Sequence, residues 1–182
     1  MNLRGHALCH AFHQPIRNFL NNNPGSYLEI GVYYGHFFAE LANEYPDRPF
    51  YGIDPFISDG YTRDPQGTVM TDIEEIARHN AAETKNATLY KYTTKDFLKT
   101  EEAKDILKNV SCVLIDGSHH YVDIVHDLDL VMEINNDLNK FVAFDDLQIE
   151  DVRKSISELT LRLHNRIINV ENHPHYVGIH FK

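Results

Sequence analysis

Several things are scarce in this sequence, and each scarcity removes a class of protein. Its 182 residues include only two cysteines, Cys9 and Cys112, too few for a disulfide framework. A reducing, cytoplasmic location is therefore expected, where the sequons at Asn86 and Asn109 carry no glycan. No apolar run approaches the roughly 20 residues that cross a bilayer, so no membrane partner is expected. The opening MNLRGHALCHAFHQ is interrupted by polar and histidine residues. It has no clean apolar h-region, and no signal peptide is expected. Lys and Arg number 17 against 27 Asp and Glu, a formal net charge of −10. With no basic stripe, a nucleic-acid partner is not expected, because phosphate-backbone binding needs clustered cations. Repeats, linkers and low-complexity segments are also missing.

What remains is a globular composition, 42% hydrophobic and 24% charged, of a length that suits one domain with one sizeable core. Residues 1–24 read as an N-terminal helix and turn, and 25–182 as the body of the domain. Leu8, Phe12, Ile16, Phe19 and Leu20 fall at near-helical spacing within 3–20, with Pro15 placed to kink or break the helix. Short apolar runs then alternate with amphipathic stretches. Strands are predicted at 27–32, 50–54, 88–92, 110–115 and 140–144. Helices are predicted from about Gly35 to before Pro46, at 69–84, over most of 95–107, at 122–134 and at 149–163. Two more strands, 167–170 and 176–181, flank the hairpin loop ENHPH. Five strands alternating with helices demand a parallel sheet. The fold class is thus α/β, a Rossmann-like doubly wound sheet, mostly parallel with a C-terminal antiparallel pair.

The stretch SYLEIGVYYGHF, residues 26–37, organises the first half. A buried strand runs into a turn bearing Gly31 and Gly35, then into a helix. Glycine suits such a turn because it tolerates positive φ and lets a ligand approach the backbone. Glu29 is out of place in an apolar strand. Its carboxylate needs a partner, which a bound cation or the donors of a ligand would supply. The pattern E-x-G-x-x-x-G is not the dinucleotide fingerprint, since Tyr33 stands where that motif has glycine. Asp54 ends the second strand, the usual place of a ribose-hydroxyl acceptor in nucleotide-binding sheets. The irregular run 55–67 follows on the ligand-binding edge, as either a functional loop or a surface excursion.

The second half gathers acids. The fourth strand ends in Asp116, within DGSHHY, and the fifth in Asp145-Asp146. Neighbouring parallel strands bring these three carboxylates to one edge, where they repel unless protonated or neutralised by a cation. Hard divalent ions take such oxygen ligands. Helix capping is the alternative, though it needs only one acid per helix.

The order strand, glycine turn, helix, strand, acid resembles the cofactor half of class I S-adenosylmethionine-dependent methyltransferases. The terminal antiparallel pair fits their arrangement rather than that of dehydrogenases. DGSHHYVDIVHDL with FDDL is similar to the metal-dependent small-molecule O-methyltransferases, in the group of macrocin O-methyltransferases and cephalosporin-hydroxylase-like proteins. The resemblance implies S-adenosylmethionine bound by Glu29, Gly31, Gly35, Asp54 and, at the adenine-contacting position, Thr94. It implies a divalent metal, Mg²⁺ as the expected ion, on Asp116, Asp145 and Asp146. It implies a catalytic base at His119, three residues after the first metal acid. The acid that some relatives carry two residues after it is Ser118 here, so that role does not transfer. The implied reaction is O-methylation of a small-molecule hydroxyl.

Two rival functions differ in testable ways. A nicotinamide-dependent oxidoreductase would share the sheet, but the missing glycine speaks against it and the acid cluster would have no task. A catalytically silent binding or assembly module would keep cofactor affinity without metal affinity. The substrate's identity, the metal and the oligomeric state, monomer or homo-oligomer, stay open at this level.

Overall fold

The computed structural model describes residues 13–57, 73–134 and 136–182. The elements run α1 (His13–Asn22), β1 (Ser26–Ile30), α2 (His36–Glu44), β2 (Phe50–Ile53), α3 (Ile73–Ala82), β3 (Ala87–Tyr90), α4 (Thr94–Phe97), α5 (Glu101–Leu107), β4 (Val110–Ile115), α6 (Tyr121–Glu133), β5 (Lys140–Phe144), α7 (Glu150–Arg162), β6 (Ile167–Asn172) and β7 (Val177–Phe181). One seven-stranded sheet has the order β3-β2-β1-β4-β5-β7-β6. The pairs among β1 to β5 are parallel, while β7 runs antiparallel between β5 and β6.

Central strands buried on both faces read in sequence as continuous apolar runs. β1, β4 and β5 do so: every residue of all three is buried. Their side chains alternate between two cores. Leu28, Ile30, Val113, Ile115, Val142 and Phe144 pack with α6 and α7 on one face. Tyr27, Cys112, Leu114, Phe141 and Ala143 pack with α1 and α2 on the other. α1 contributes Ile16, Phe19 and Leu20, and Pro15 lies inside it without ending it. Residues 3–12 of the expected first helix, 69–72 of the third and 58–67 of the irregular run lie outside the described residues. No described helix is long and apolar enough to cross a membrane.

The expected helix over most of 95–107 is in fact two. Thr93 Oγ1 accepts from the Asp96 amide at 3.2 Å to start α4. Thr100 Oγ1 accepts from the Ala103 amide at 3.1 Å to start α5. Each hydroxyl satisfies a helix-end donor, so two short helices replace one long one. β6 runs two residues past its expected end, to Asn172, which shortens the ENHPH connection.

Candidate functional site

The carboxyl ends of four neighbouring strands continue their ladder by one residue each. The Asp54 amide donates to Tyr90 O at 3.1 Å, Gly31 to Ile53 O at 2.9 Å, Asp116 to Ile30 O at 2.9 Å and Asp145 to Ile115 O at 3.2 Å. Topology therefore lines up Asp54, Gly31, Asp116 and Asp145 along one edge of the sheet.

Gly31 has φ 84°, and a Cβ there would stand 2.1 Å from the Asp116 carbonyl oxygen and 2.5 Å from Gly117 Cα. The space that this glycine leaves is filled by the backbone after β4. Gly35 differs. Its φ of 69° is what it supplies, since a Cβ would meet nothing closer than 3.4 Å. It is the residue before α2 in a left-handed conformation. Between them Tyr33 also takes a left-handed φ of 53°, so tyrosine adopts the conformation that glycine usually supplies in such a turn.

Asp54 holds that turn. Its Oδ2 accepts from the amides of Val32 and Tyr33, both at 2.9 Å, and its Oδ1 from the Phe56 amide at 2.6 Å. Phe56 is a second left-handed residue, with φ 51°. One carboxylate thus staples both walls of the crevice at the end of β2.

Glu29 is buried on β1. The partner that its carboxylate requires is internal: the Tyr27 hydroxyl donates to Oε2 at 2.7 Å. Burial still dominates and pushes the carboxyl up to about 8, with the nearby Asp54 charge adding to the rise and the Tyr27 bond opposing it. Thr94 is buried at the start of α4, and its hydroxyl bonds the buried carboxyl of Asp127 on α6. Its side chain is thus engaged inside the fold.

Asp116 and Asp145 are both raised. Burial leads at Asp116, followed by the charges of Asp145, Glu29 and Asp146. Burial also leads at Asp145, where the Asp146 amide and the imidazoles of His119 and His175 pull the other way. His119 Nε2 lies 2.7 Å from Asp146 Oδ2, and the Gln148 amide donates to the other Asp146 oxygen. Asp116, His119 and Asp146 each offer one ligand atom, all within 4.8 Å of one another. Asp145 is outside that group. None of the three acids caps a helix. His120 precedes α6 and Ile149 precedes α7, and neither position makes a side-chain cap bond. Crowded carboxylates raised by burial and repulsion, next to an imidazole, form a donor set that fits a divalent cation.

The structure adds residues to this edge that sequence reasoning did not find. Phe144 pairs with Val177 across β5 and β7, which brings the segment before β7 to this edge, where the His175 imidazole acts on the Asp145 carboxyl. The only sequence signal was the HPH run in the hairpin. Gln148 and the Asp127–Thr94 pair had none. A cavity of about 590 Å³ opens at the opposite, amino edge, between Gly25, Tyr45, Arg48 and Asn109. Arg48 there is spent on the carbonyls of Leu20, Asn23 and Gly25. We place the chemistry at the carboxyl edge, where the titratable groups converge.

Comparison with known proteins agrees with this fold. A family model described as a methyltransferase domain matches residues 28–147. No curated protein sequence matches the chain. The fold is similar to that of the O-methyltransferase NovP, with a TM-score of 0.68, 17% identity and coverage of 93% of this chain and 78% of that one. It is similar to a caffeoyl-CoA O-methyltransferase-like protein of Staphylococcus aureus, at TM-score 0.61, 15% identity and coverage of 94% and 80%. It is also similar to MycE, a methyltransferase of mycinamycin biosynthesis solved with Mg and S-adenosylhomocysteine. There the TM-score is 0.53 and the identity 14%, covering 92% of this chain and about half (47%) of that one.

Proposed function

This chain belongs to the methyltransferase domain family and is a class I S-adenosylmethionine-dependent methyltransferase, and we propose that it methylates a hydroxyl of a small molecule with the help of a divalent metal. The observation that carries the proposal is the group Asp116, His119 and Asp146 at the same sheet edge as the Glu29–Asp54 crevice. Its donors suit a cation, and no helix cap accounts for its acids.

In this reading the β1–α2 turn holds the methionine end of the cofactor, and Glu29 accepts from the ammonium group. An ionised carboxylate offers about four acceptor sites. Three at Asp54 are taken by backbone amides, which leaves about one for a ribose hydroxyl. Thr94 presents its backbone to the adenine. A divalent ion on Asp116 and Asp146, with Asp145 beside them, would lower the pKa of a substrate hydroxyl bound to it. The substrate oxygen then forms a bond to the sulfonium methyl carbon while the carbon–sulfur bond breaks and the hydroxyl proton is released. The products are the methyl ether and S-adenosylhomocysteine. The residues contribute mainly alignment of oxygen, carbon and sulfur. With Nε2 against Asp146, only Nδ1 of His119 is left to accept a proton.

The test is transfer of label from methyl-labelled S-adenosylmethionine to a panel of catechols, sugars and other hydroxyl compounds, with and without excess EDTA. Label in an ether product that disappears with EDTA supports the proposal. Transfer undiminished by EDTA contradicts the metal part. Label on carboxylate or amine acceptors alone contradicts the hydroxyl part.

A further inference from the structure

We propose that Asn80, on α3, is a positioning residue for the cofactor: its side-chain amide holds the β1–α2 turn in the shape that S-adenosylmethionine meets. The inference rests on the reading that this turn lies against the cofactor, and it adds a residue that acts from behind the turn.

The turn needs holding. Tyr33 is left-handed at φ 53°, a conformation that a residue other than glycine keeps only where its surroundings fix it. Asp54 fixes the amide side, through Val32 and Tyr33. The carbonyl side is fixed from α3. Asn80 Nδ2 donates to the Tyr34 carbonyl oxygen at 2.8 Å and lies 3.3 Å from His36 Nδ1. A carbonyl oxygen only accepts, so the amide nitrogen of Asn80 is the end that faces the turn. Its second hydrogen then meets the Nδ1 lone pair, and a neutral His36 ring carries its proton on Nε2. One amide group thus ties the residues on either side of Gly35.

α3 is placed for this task. Its Ala77 is buried and packs against Gly35, where a Cβ would stand 3.5 Å from Ala77 Cα. Arg78 lies 6.0 Å from the ring centroid of Phe56, which follows β2, and Glu74 pairs with Lys91, which follows β3. The helix therefore braces the segments that follow β1, β2 and β3. The contacts of Arg78 and Glu74 are made by exposed side chains and are worth little. The Asn80 bond is different, because it grips the backbone of the turn itself.

A turn that is only partly in its binding shape lowers apparent affinity by the populated fraction. Loss of the Asn80 bonds should therefore appear as weaker cofactor binding by a folded protein, and not only as lower stability.

The experiment is calorimetry on the full chain with S-adenosylhomocysteine as probe. It compares wild type, Asn80→Asp, Asn80→Ala and His79→Ala. Asn80→Asp keeps the size, removes the donors and turns an acceptor toward the Tyr34 carbonyl. Both Asn80 variants should bind roughly tenfold or more weakly, with the circular dichroism of wild type. Amide exchange should quicken at Val32, Tyr33 and Gly35 and not in β4 or β5. His79→Ala changes an exposed neighbour on the same helix and should bind as wild type does. If Asn80→Asp does not fold, Asn80→Ala carries the test, since it admits water to the Tyr34 carbonyl. Asn80 variants that unfold more easily but bind with wild-type affinity overturn the inference and leave the cofactor reading standing. An equal loss in His79→Ala overturns the assignment to Asn80. A wild type that does not bind S-adenosylhomocysteine overturns the cofactor reading as well.

Discussion

The Tyr33 amide donates to the Asp54 carboxylate at 2.9 Å across 21 positions of chain, and this bond holds a tyrosine in a conformation that glycine normally supplies. Asp54 is thus a positioning residue for the crevice before it is a ligand contact. Its replacement should show in stability as well as in affinity.

Asp54→Ala strands three backbone donors, those of Val32, Tyr33 and Phe56. Bonds to a charged group are worth roughly 1.5–3 kcal/mol each, less where water can replace them. Loss of about 2–3 kcal/mol in urea unfolding is expected, together with a roughly tenfold or greater loss of S-adenosylhomocysteine affinity. Lost affinity with unchanged unfolding would make Asp54 a ligand contact only. Unchanged affinity in the folded variant would remove it from the cofactor site.

Gly31→Ala should be more damaging still. The added methyl would press on the backbone of Asp116 and Gly117 at 2.1 and 2.5 Å, at a φ of 84°. Backbone strain and overpacking together are expected to cost on the order of 3–5 kcal/mol. Gly35→Ala has the strained φ of 69° without the collision, and should cost about 1–2 kcal/mol. Equal unfolding midpoints for the two variants would contradict this account of the turn.

Asp127 provides a pH test away from the acid cluster. Burial raises its carboxyl from 3.8 to about 7, while the Thr94 bond lowers it and the Asp123 charge adds to the rise. The folded state therefore binds more protons than the unfolded state between about pH 4 and 7, and stability falls as pH rises through that window. Below it the penalty is absent, and above it the penalty is complete. Asp127→Asn keeps an acceptor for Thr94 and never ionises. Its stability relative to wild type should rise by roughly 2–4 kcal/mol between pH 4.5 and pH 8. A difference that does not change with pH would show that Asp127 is charged in the fold throughout.

Much of this was legible in the sequence, for identifiable reasons. β4 and β5 begin and end where expected because strands buried on both faces leave an unbroken apolar run, and polar acids end it. The parallel order followed from strands alternating with helices, and the acids at Asp116 and Asp145-Asp146 followed from it. What stayed hidden depends on atoms that meet across the sheet. Gly31 looked like room for a ligand but is room for Asp116 and Gly117. Glu29 finds its partner two residues back, in Tyr27 on the same face of β1, a pairing that alternation permits and that was not drawn from it. The 95–107 helix breaks because Thr93 and Thr100 both cap, a competition that apolar spacing does not register. His119 meets Asp146 across the ends of two neighbouring strands, and His175 reaches the edge through an antiparallel register. The last two have no local signature.

The central claim is that the crevice between β1 and β2 holds S-adenosylmethionine, and calorimetric titration with its product tests it most directly. S-adenosylhomocysteine titrated into the full chain should bind at one site, and NAD under the same conditions should give no saturable heat. Saturable binding of NAD, with none for S-adenosylhomocysteine, would contradict the account.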